Sequence, residues 1–116
     1  ITNGTPSTQC KKIDYCHLRL YADLVVLAGE EGIQKPDVRI FRMAAARLGV
    51  PPTACMFVGD HPQNDLEGAR AAGFTPIRKV WDFDPDHPIH RVPAAEDIPS
   101  IRHISQVLSL LDDTPT

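Results

Sequence analysis

The sequence has few cysteines, no long apolar run and no excess of positive charge, and each shortage excludes a class of protein. Its three cysteines, Cys10, Cys16 and Cys55, lack the spacing of zinc ligands. Because an odd number of cysteines without a signal peptide favours reduced thiols, we expect a cytoplasmic protein. No apolar run approaches the roughly 20 residues of a membrane span. A net charge of -3 gives no electrostatic reason to expect nucleic acid or an anionic membrane as a partner.

The remaining pattern indicates an α/β domain. The 116 residues are 42% hydrophobic, so the chain can bury a core as one domain or part of one. Helical periodicity and capping residues predict helices over 7–16, from 36 or 37 to 48, and over 64–72. Short apolar runs predict strands over 24–28 and 55–60, and residues 75–80 are predicted to form a third strand. Residues 82–99, rich in proline and acids, are predicted to be an irregular surface segment, and residues 100–111 a terminal helix. Alternating strands and helices predict a parallel sheet with helices on its faces.

Polar residues follow the ends of the predicted strands. Asp60 follows the apolar run of residues 55–58 after one glycine, and Lys35 lies in the loop after the strand of residues 24–28. Thr2 and Asn3 follow Ile1 in a pattern typical of a strand exit. Because ligands bind beyond the carboxyl ends of the strands in open parallel sheets, we expect these side chains to converge.

These residue types suit a phosphate and a divalent cation. The Thr2 hydroxyl and the backbone N–H groups near Asn3 offer hydrogen bonds to a phosphate oxygen, and the Lys35 ammonium is a compact counter-ion. Asp60 offers Mg²⁺ a carboxylate, and Asp65 could hold a metal-bound water or orient Lys35. Taken singly, Thr2 also fits a turn, Lys35 a solvated loop and Asp65 a helix cap. A carboxylate such as Asp60, at the end of a buried strand, needs a partner.

The order of three motifs resembles that of the haloacid dehalogenase-like hydrolases, and of their phosphatase branch in particular. The motifs are Thr-Asn-Gly at 2–4, Lys-Pro-Asp at 35–37 and Gly-Asp-His-Pro-Gln-Asn-Asp at 59–65, and the resemblance covers most of residues 1–81. It implies a three-layer αβα Rossmann-like domain, of which residues 1–116 would be the C-terminal part.

The resemblance also implies an activity. Members of the phosphatase branch are Mg²⁺-dependent enzymes that hydrolyse small phosphorylated substrates through an aspartyl phosphate. By this resemblance Thr2, Asn3 and Lys35 would bind the phosphoryl group, and Asp60 and Asp65 would bind Mg²⁺. Thr2, Lys35 and Asp65 would be the catalytic residues that this chain supplies.

The family's first motif, Asp-x-Asp-x-Thr/Val, is absent from residues 1–116, although it would carry the nucleophile. We therefore expect the chain alone to be inactive, and to be completed by an N-terminal segment outside this sequence or by a second copy in a homodimer. Asp82, Asp84 and Asp86 imitate the motif, but their use would need a circularly permuted order, and a surface loop explains them. The gap before Lys35 is too short for an inserted cap domain, so the substrate cannot be read from this chain.

Three other functions stay open. A 2-haloacid dehalogenase of the same superfamily is disfavoured because such enzymes need no metal and typically lack the Gly-Asp pair of residues 59 and 60. A phosphoacceptor receiver domain uses similar residues, but in the order Asp, Thr, Lys. A domain-swapped fragment that serves as an interaction module is kept open by the absent first motif.

Overall fold

The computed structural model describes residues 1–4, 6–15, 17, 20–81 and 86–112. Its helices are α1 (Pro6–Tyr15), α2 (Ala28–Glu31), α3 (Val38–Leu48), α4 (Gly68–Ala71) and α5 (Val107–Asp112), and its strands are β1 (Met56–Gly59), β2 (Thr75–Lys79) and β3 (Ser100–Ile101). Single 3₁₀ turns lie at Pro52–Ala54, Pro88–Arg91 and Ile104–Gln106, and a π-helical turn, Pro62–Glu67, leads into α4. Across these described ranges, no helix has the length and apolar character needed to cross a membrane.

The three strands form one parallel sheet in the order β1–β2–β3. The register pairs Gly59 of β1 with Arg78 of β2, and Arg78 with Ser100 of β3. Helical segments connect the first two strands, which is the βαβ arrangement of a Rossmann-like fold. The predicted α/β class is therefore confirmed. Because the strands are parallel, the residues that follow β1 and β2 emerge at the same edge of the sheet.

Helix α3 packs against β1 through one aromatic side chain. The Asp37 side chain accepts a hydrogen bond from the backbone N–H of Arg39 and caps the helix start, and Gly49, at φ 74°, ends it. Phe41 is fully buried and packs edge-to-face on Phe57 of β1 and on Phe74, with ring centroids 5.0 and 5.7 Å away. Burial of such a side chain contributes about 1.5–3 kcal/mol. The contact fixes α3, and with it the loop that precedes it, against the sheet.

Two predicted elements are wrong. Residues 24–28 form no strand: Leu27 makes a single parallel bridge to Thr2, and α2 begins at the next residue. A strand needs a partner along its length, and among the described residues only Thr2 pairs with this segment. The predicted terminal helix over 100–111 is also wrong in its first half, since Ser100–Ile101 is β3 and the helix begins at Val107. Ile101 is buried beside Lys79, so burial against the sheet prevails over helical periodicity there.

Smaller differences concern boundaries. The predicted helix over 64–72 begins earlier, at Pro62, and its first turn is π-helical. The segment between residue 28 and Lys35, which was predicted to be a loop, contains most of α2, and Gly32 closes that helix at φ 70°. The described part of the predicted irregular segment contains only the 3₁₀ turn Pro88–Arg91. Thr5, Cys16 and residues 82–85 lie outside the described residues, so the last residue of the helix predicted over 7–16 and the Asp82 and Asp84 positions of the imitated motif have no structural account.

Candidate functional site

Lys35 lies in the loop between α2 and α3, where the side chain of Asn3 holds its backbone. Asn3 Oδ1 accepts the backbone N–H of Lys35 at 2.8 Å, and Asn3 Nδ2 donates to the Lys35 carbonyl at 3.0 Å. We call this pair of hydrogen bonds the Asn3–Lys35 bridge. The sequence interpretation relied on backbone N–H groups near Asn3, whereas the structure shows its side chain orienting Lys35. The Lys35–Pro36 peptide bond is cis.

The Lys35 side chain forms a buried ion pair with Asp65. Lys35 Nζ contacts Asp65 Oδ1, and the two side chains are only 13% and 7% exposed. The ammonium also lies 5.7 Å from the centroid of the Phe57 ring, within the range of a cation–π interaction. A charge held in this way is fixed in position, which is what a phosphoryl-binding cation requires.

The second oxygen of Asp65 organises the turn that follows β1. Asp65 Oδ2 accepts the backbone N–H groups of Asp60 and His61, both at 3.1 Å. A Cβ added to Gly59 would lie 2.4 Å from Asp65 Cβ, so only glycine leaves room for this carboxylate. Gly59 therefore makes room for Asp65. The alternative that Asp65 caps the next helix is wrong, because that helix begins at Pro62.

Two contacts at the site were not predicted from the sequence. His61 Nδ1 accepts the backbone N–H groups of Gln63 and Asn64 and so caps the π-helical turn; a hydrogen-bonding residue before a proline is the signal that could have revealed it. The indole of Trp81 donates from Nε1 to Asp60 Oδ2 at 2.9 Å. Trp81 follows β2, the strand next to β1, and this position is the signal in the sequence for its contact with Asp60. The signal can be used only when the pairing of β1 with β2 is known.

Thr2 lies next to this cluster through its backbone. Its N–H donates to Val26 at 3.1 Å and its carbonyl accepts from Ala28 at 3.0 Å. The Asn3–Lys35 bridge links Thr2 to the loop of Lys35, and Asp65 links Lys35 to Asp60. The structure thus connects all five predicted site residues, Thr2, Asn3, Lys35, Asp60 and Asp65, while their catalytic and binding roles stay predictions.

The carboxylates fit a magnesium ion in only a limited way. No cluster of three or more His, Cys, Asp or Glu residues suited to a metal occurs in the described part of the chain. Both oxygens of Asp65 accept N–H groups or the Lys35 ammonium, whereas Asp60 Oδ1 accepts no hydrogen bond from the described residues. Mg²⁺ commonly takes one or two carboxylates together with water and a substrate phosphate. Asp60 therefore fits as one carboxylate ligand, with the other ligands coming from elsewhere.

A second ion pair, between the end of the same loop and the first turn of α3, lies outside the site. Arg39 donates from two nitrogens to the Asp37 carboxylate, with a shortest distance of 2.8 Å. These side-chain hydrogen bonds, together with the backbone N–H of Arg39, lower the pKa of Asp37 to about 2. Arg39 is 70% exposed, so the pair serves the start of α3 and does not enter the cluster around Lys35.

Comparison with known proteins gives one consistent family. A profile of haloacid dehalogenase-like hydrolases matches residues 1–73. The phosphoserine phosphatase of Thermus thermophilus is 47% identical over 81 residues, which are 70% of this chain and 31% of that protein. The N-acylneuraminate-9-phosphatase of Homo sapiens is 41% identical over 81 residues, which are 70% of this chain and 32% of that protein.

A solved structure gives the same result for the fold. The crystal structure of a 2-haloacid dehalogenase from Pseudomonas syringae superposes with a TM-score of 0.71 and 30% identity, covering 86% of this chain and 41% of that one. The aligned part of the chain spans about a third of the two sequence relatives.

Proposed function

Because the chain belongs to the haloacid dehalogenase-like hydrolase family, we propose that the whole protein is a Mg²⁺-dependent phosphatase of a small phosphorylated metabolite. The observation that carries the proposal is the buried pair of Lys35 and Asp65 next to Asp60, at the edge where β1 ends. A fixed cation and a carboxylate with one oxygen available are the groups that phosphoryl transfer needs, since its catalysis is mainly positioning and charge compensation.

Each residue of the cluster has a defined task in this proposal. Lys35 compensates the charge of the phosphoryl group, Asp65 holds Lys35 in place, and the Thr2 hydroxyl donates to a phosphoryl oxygen. Asn3 fixes the Lys35 backbone and, with the N–H groups of its turn, borders the phosphate. Asp60 would hold Mg²⁺, with Asp65 close by to orient a bound water. When bound, the ion would compensate negative charge on the phosphoryl oxygens.

The nucleophile of the proposal lies outside residues 1–116. An aspartate of an Asp-x-Asp-x-Thr/Val segment would attack phosphorus, and water would then hydrolyse the aspartyl phosphate. That segment is expected upstream of Thr2 in the same polypeptide, with a homodimer as the alternative source. A cytoplasmic location, which would keep the free thiol of Cys55 reduced, also remains a prediction.

The substrate is proposed only by class. The two phosphatase relatives are named for a phosphorylated amino acid and a phosphorylated sugar acid, and what these share is a phosphate ester on a small organic group. A panel that contains phosphoserine, sugar phosphates and p-nitrophenyl phosphate would therefore be the starting point.

The test is Mg²⁺-dependent phosphate release by the full-length protein. We expect hydrolysis of p-nitrophenyl phosphate that EDTA abolishes and MgCl₂ restores, and a loss of roughly 100-fold or more in kcat/KM for Asp60→Asn. Asp97→Asn is the matched control, because Asp97 is 74% exposed and pairs with Arg70 on the surface. Metal-independent hydrolysis, or full activity of Asp60→Asn, would contradict the proposal.

A second candidate is a 2-haloacid dehalogenase, which the superposed structure of such an enzyme keeps in view. The Asp60 carboxylate argues against it, since this reaction needs no metal site. Chloride release from 2-chloropropionate in the presence of EDTA, without phosphate release from any ester of the panel, would favour the dehalogenase.

A further inference from the structure

The side chain of Trp81 reaches the candidate metal ligand from the neighbouring strand. Trp81 Nε1 donates to Asp60 Oδ2 at 2.9 Å, although the two residues are 21 positions apart in sequence. Asp60 follows β1, and Trp81 comes two residues after β2. Because Gly59 pairs with Arg78 in the parallel register, both side chains emerge at the same edge. Both residues are partly buried, so water competes less for the hydrogen bond than on an open surface.

Trp81 is itself held from two sides. Lys79 Nζ lies 4.6 Å from the centroid of the indole ring, and the same ammonium donates to the carbonyls of Val80 and Arg102 at 2.8 and 2.6 Å. The backbone N–H of Trp81 donates to His90 Nε2 at 3.1 Å. The indole ring therefore packs against Lys79 of β2, and the backbone of Trp81 is held at the turn around His90, so that the indole N–H is a positioned donor for Asp60.

The hydrogen bond from Trp81 gives the two carboxylate oxygens of Asp60 different environments. Oδ2 accepts the indole N–H, while Oδ1 accepts no hydrogen bond from the described residues. Among those residues no buried side-chain oxygen lacks a partner, so Oδ1 must reach solvent. A carboxylate that is fixed through one oxygen presents the other in a defined direction, and such outer partners tune metal affinity in proteins.

We propose that Trp81 is a positioning residue, whose indole N–H orients the Asp60 carboxylate for Mg²⁺. The inference rests on the proposed function, because it takes Asp60 as the ligand. It adds a residue from outside the three motifs, in a part of the chain to which sequence analysis gave no role.

The test compares Trp81→Phe with wild-type full-length protein by isothermal titration with MgCl₂. Phenylalanine keeps an aromatic ring for Lys79 but has no N–H donor. We expect the Kd for Mg²⁺ to rise roughly 10-fold, as for other partners of metal ligands. At saturating Mg²⁺, kcat should stay within about threefold of wild type, because on this proposal the loss lies in metal affinity.

A second readout uses the indole itself. Trp81 is the single tryptophan of residues 1–116, and subtracting the Trp81→Phe spectrum isolates its emission from that of any other tryptophan. MgCl₂ should change this emission in wild type and leave it unchanged in Asp60→Asn. If Trp81→Phe does not fold, Trp81→Met replaces it, since methionine is flexible and also lacks the donor.

The outcomes separate the two proposals. If wild type neither binds Mg²⁺ nor hydrolyses phosphate esters, the proposed function fails. If wild type binds Mg²⁺ and a folded Trp81 variant binds it within twofold as tightly, the proposed function stands and the role of Trp81 is overturned.

Discussion

Two ion pairs that each take one residue from the loop between α2 and α3 lie in opposite environments. Asp37 and Arg39 pair at the surface, with side chains 35% and 70% exposed, whereas Lys35 and Asp65 are 13% and 7% exposed. The surface pair has two parallel hydrogen bonds, yet solvent screens it, and such exposed pairs contribute little to stability. In the buried pair each charge depends on the other because water is largely excluded. The contribution of an ion pair to stability and to the site therefore depends on its burial and on its further partners more than on the contact distance.

Removing the buried cation should give the largest effect. Lys35→Met is expected to lower kcat/KM of the full-length protein by about 10²–10³-fold, because the phosphoryl charge loses its counter-ion. It should also destabilise the fold by up to about 3–5 kcal/mol, since Asp65 would stay buried without its cation. Phosphate release and urea unfolding measure the two effects.

The double variant Lys35→Met/Asp65→Leu is the control for this prediction. Removing both charges should recover part of the stability and none of the activity. Equal stability of wild type and Lys35→Met would show that Asp65 does not need its partner, and the contrast with the surface pair would then disappear.

A smaller effect is expected when the space for Asp65 is reduced. In Gly59→Ala, the new methyl group would meet Asp65 at 2.4–2.6 Å, so the carboxylate must move. Overpacking of this kind costs about 1–3 kcal/mol, and we expect activity to fall by at least 10-fold because Lys35 loses its fixed partner. Phosphate release and thermal unfolding of the full-length protein measure both.

Gly32→Ala is the matched control for Gly59→Ala. Gly32 has φ 70°, and an added methyl group would meet no atom within 4 Å. Gly32→Ala should lower the free energy of unfolding by about 1 kcal/mol through backbone strain, and the variant should keep its activity. A similar loss of activity in both variants would mean that activity follows stability rather than the position of Asp65.

The surface pair should give the smallest effect, and a pH-dependent one. The pKa of Asp37 is about 2 in the folded protein against an ordinary value of 3.8, so folding favours its charged form. The resulting stability is complete above about pH 4 and is lost as the pH falls through about 2. Asp37→Asn keeps an oxygen that can cap α3, so it removes mainly the charge.

We expect Asp37→Asn to lower the thermal midpoint by less than about 4 °C at pH 7, and by less again at pH 3. Its activity at pH 7 should equal that of wild type. A larger decrease in the thermal midpoint at pH 3 than at pH 7 would contradict the assigned direction of the Asp37 pKa shift. A loss of activity would place Asp37 in the site.

How far the sequence predicts this structure depends on how local the signal is. Helix α3 follows from its own residues, with Asp37 as cap, Phe41 on the buried face and Gly49 as the left-handed end. The strand β1 follows from a short apolar run. By contrast, β3 has two residues and exists because Ile101 is buried beside β2, which no local pattern reports.

The contacts of the site also divide into those that the sequence predicts and those that depend on the fold. The sequence placed Asp60, Asp65 and Lys35 at one edge because each follows a predicted strand or its loop. It did not predict the Asn3–Lys35 bridge or the hydrogen bond of Trp81, which join positions 32 and 21 residues apart. Such contacts depend on the register of the sheet and the path of the loops, and a single sequence specifies neither.

The Asn3–Lys35 bridge has a consequence for anyone transplanting this site into another protein. Both of its hydrogen bonds go to the main chain of Lys35. Asn3 therefore fixes the position of the Lys35 backbone and does not contact the ammonium group. A recipient scaffold given only the lysine and the acids would carry the charged groups but would lack the contact that positions the lysine backbone. The minimum graft is therefore three segments moved together: the segment that carries Asn3, the loop of Lys35 and the turn that carries the acids.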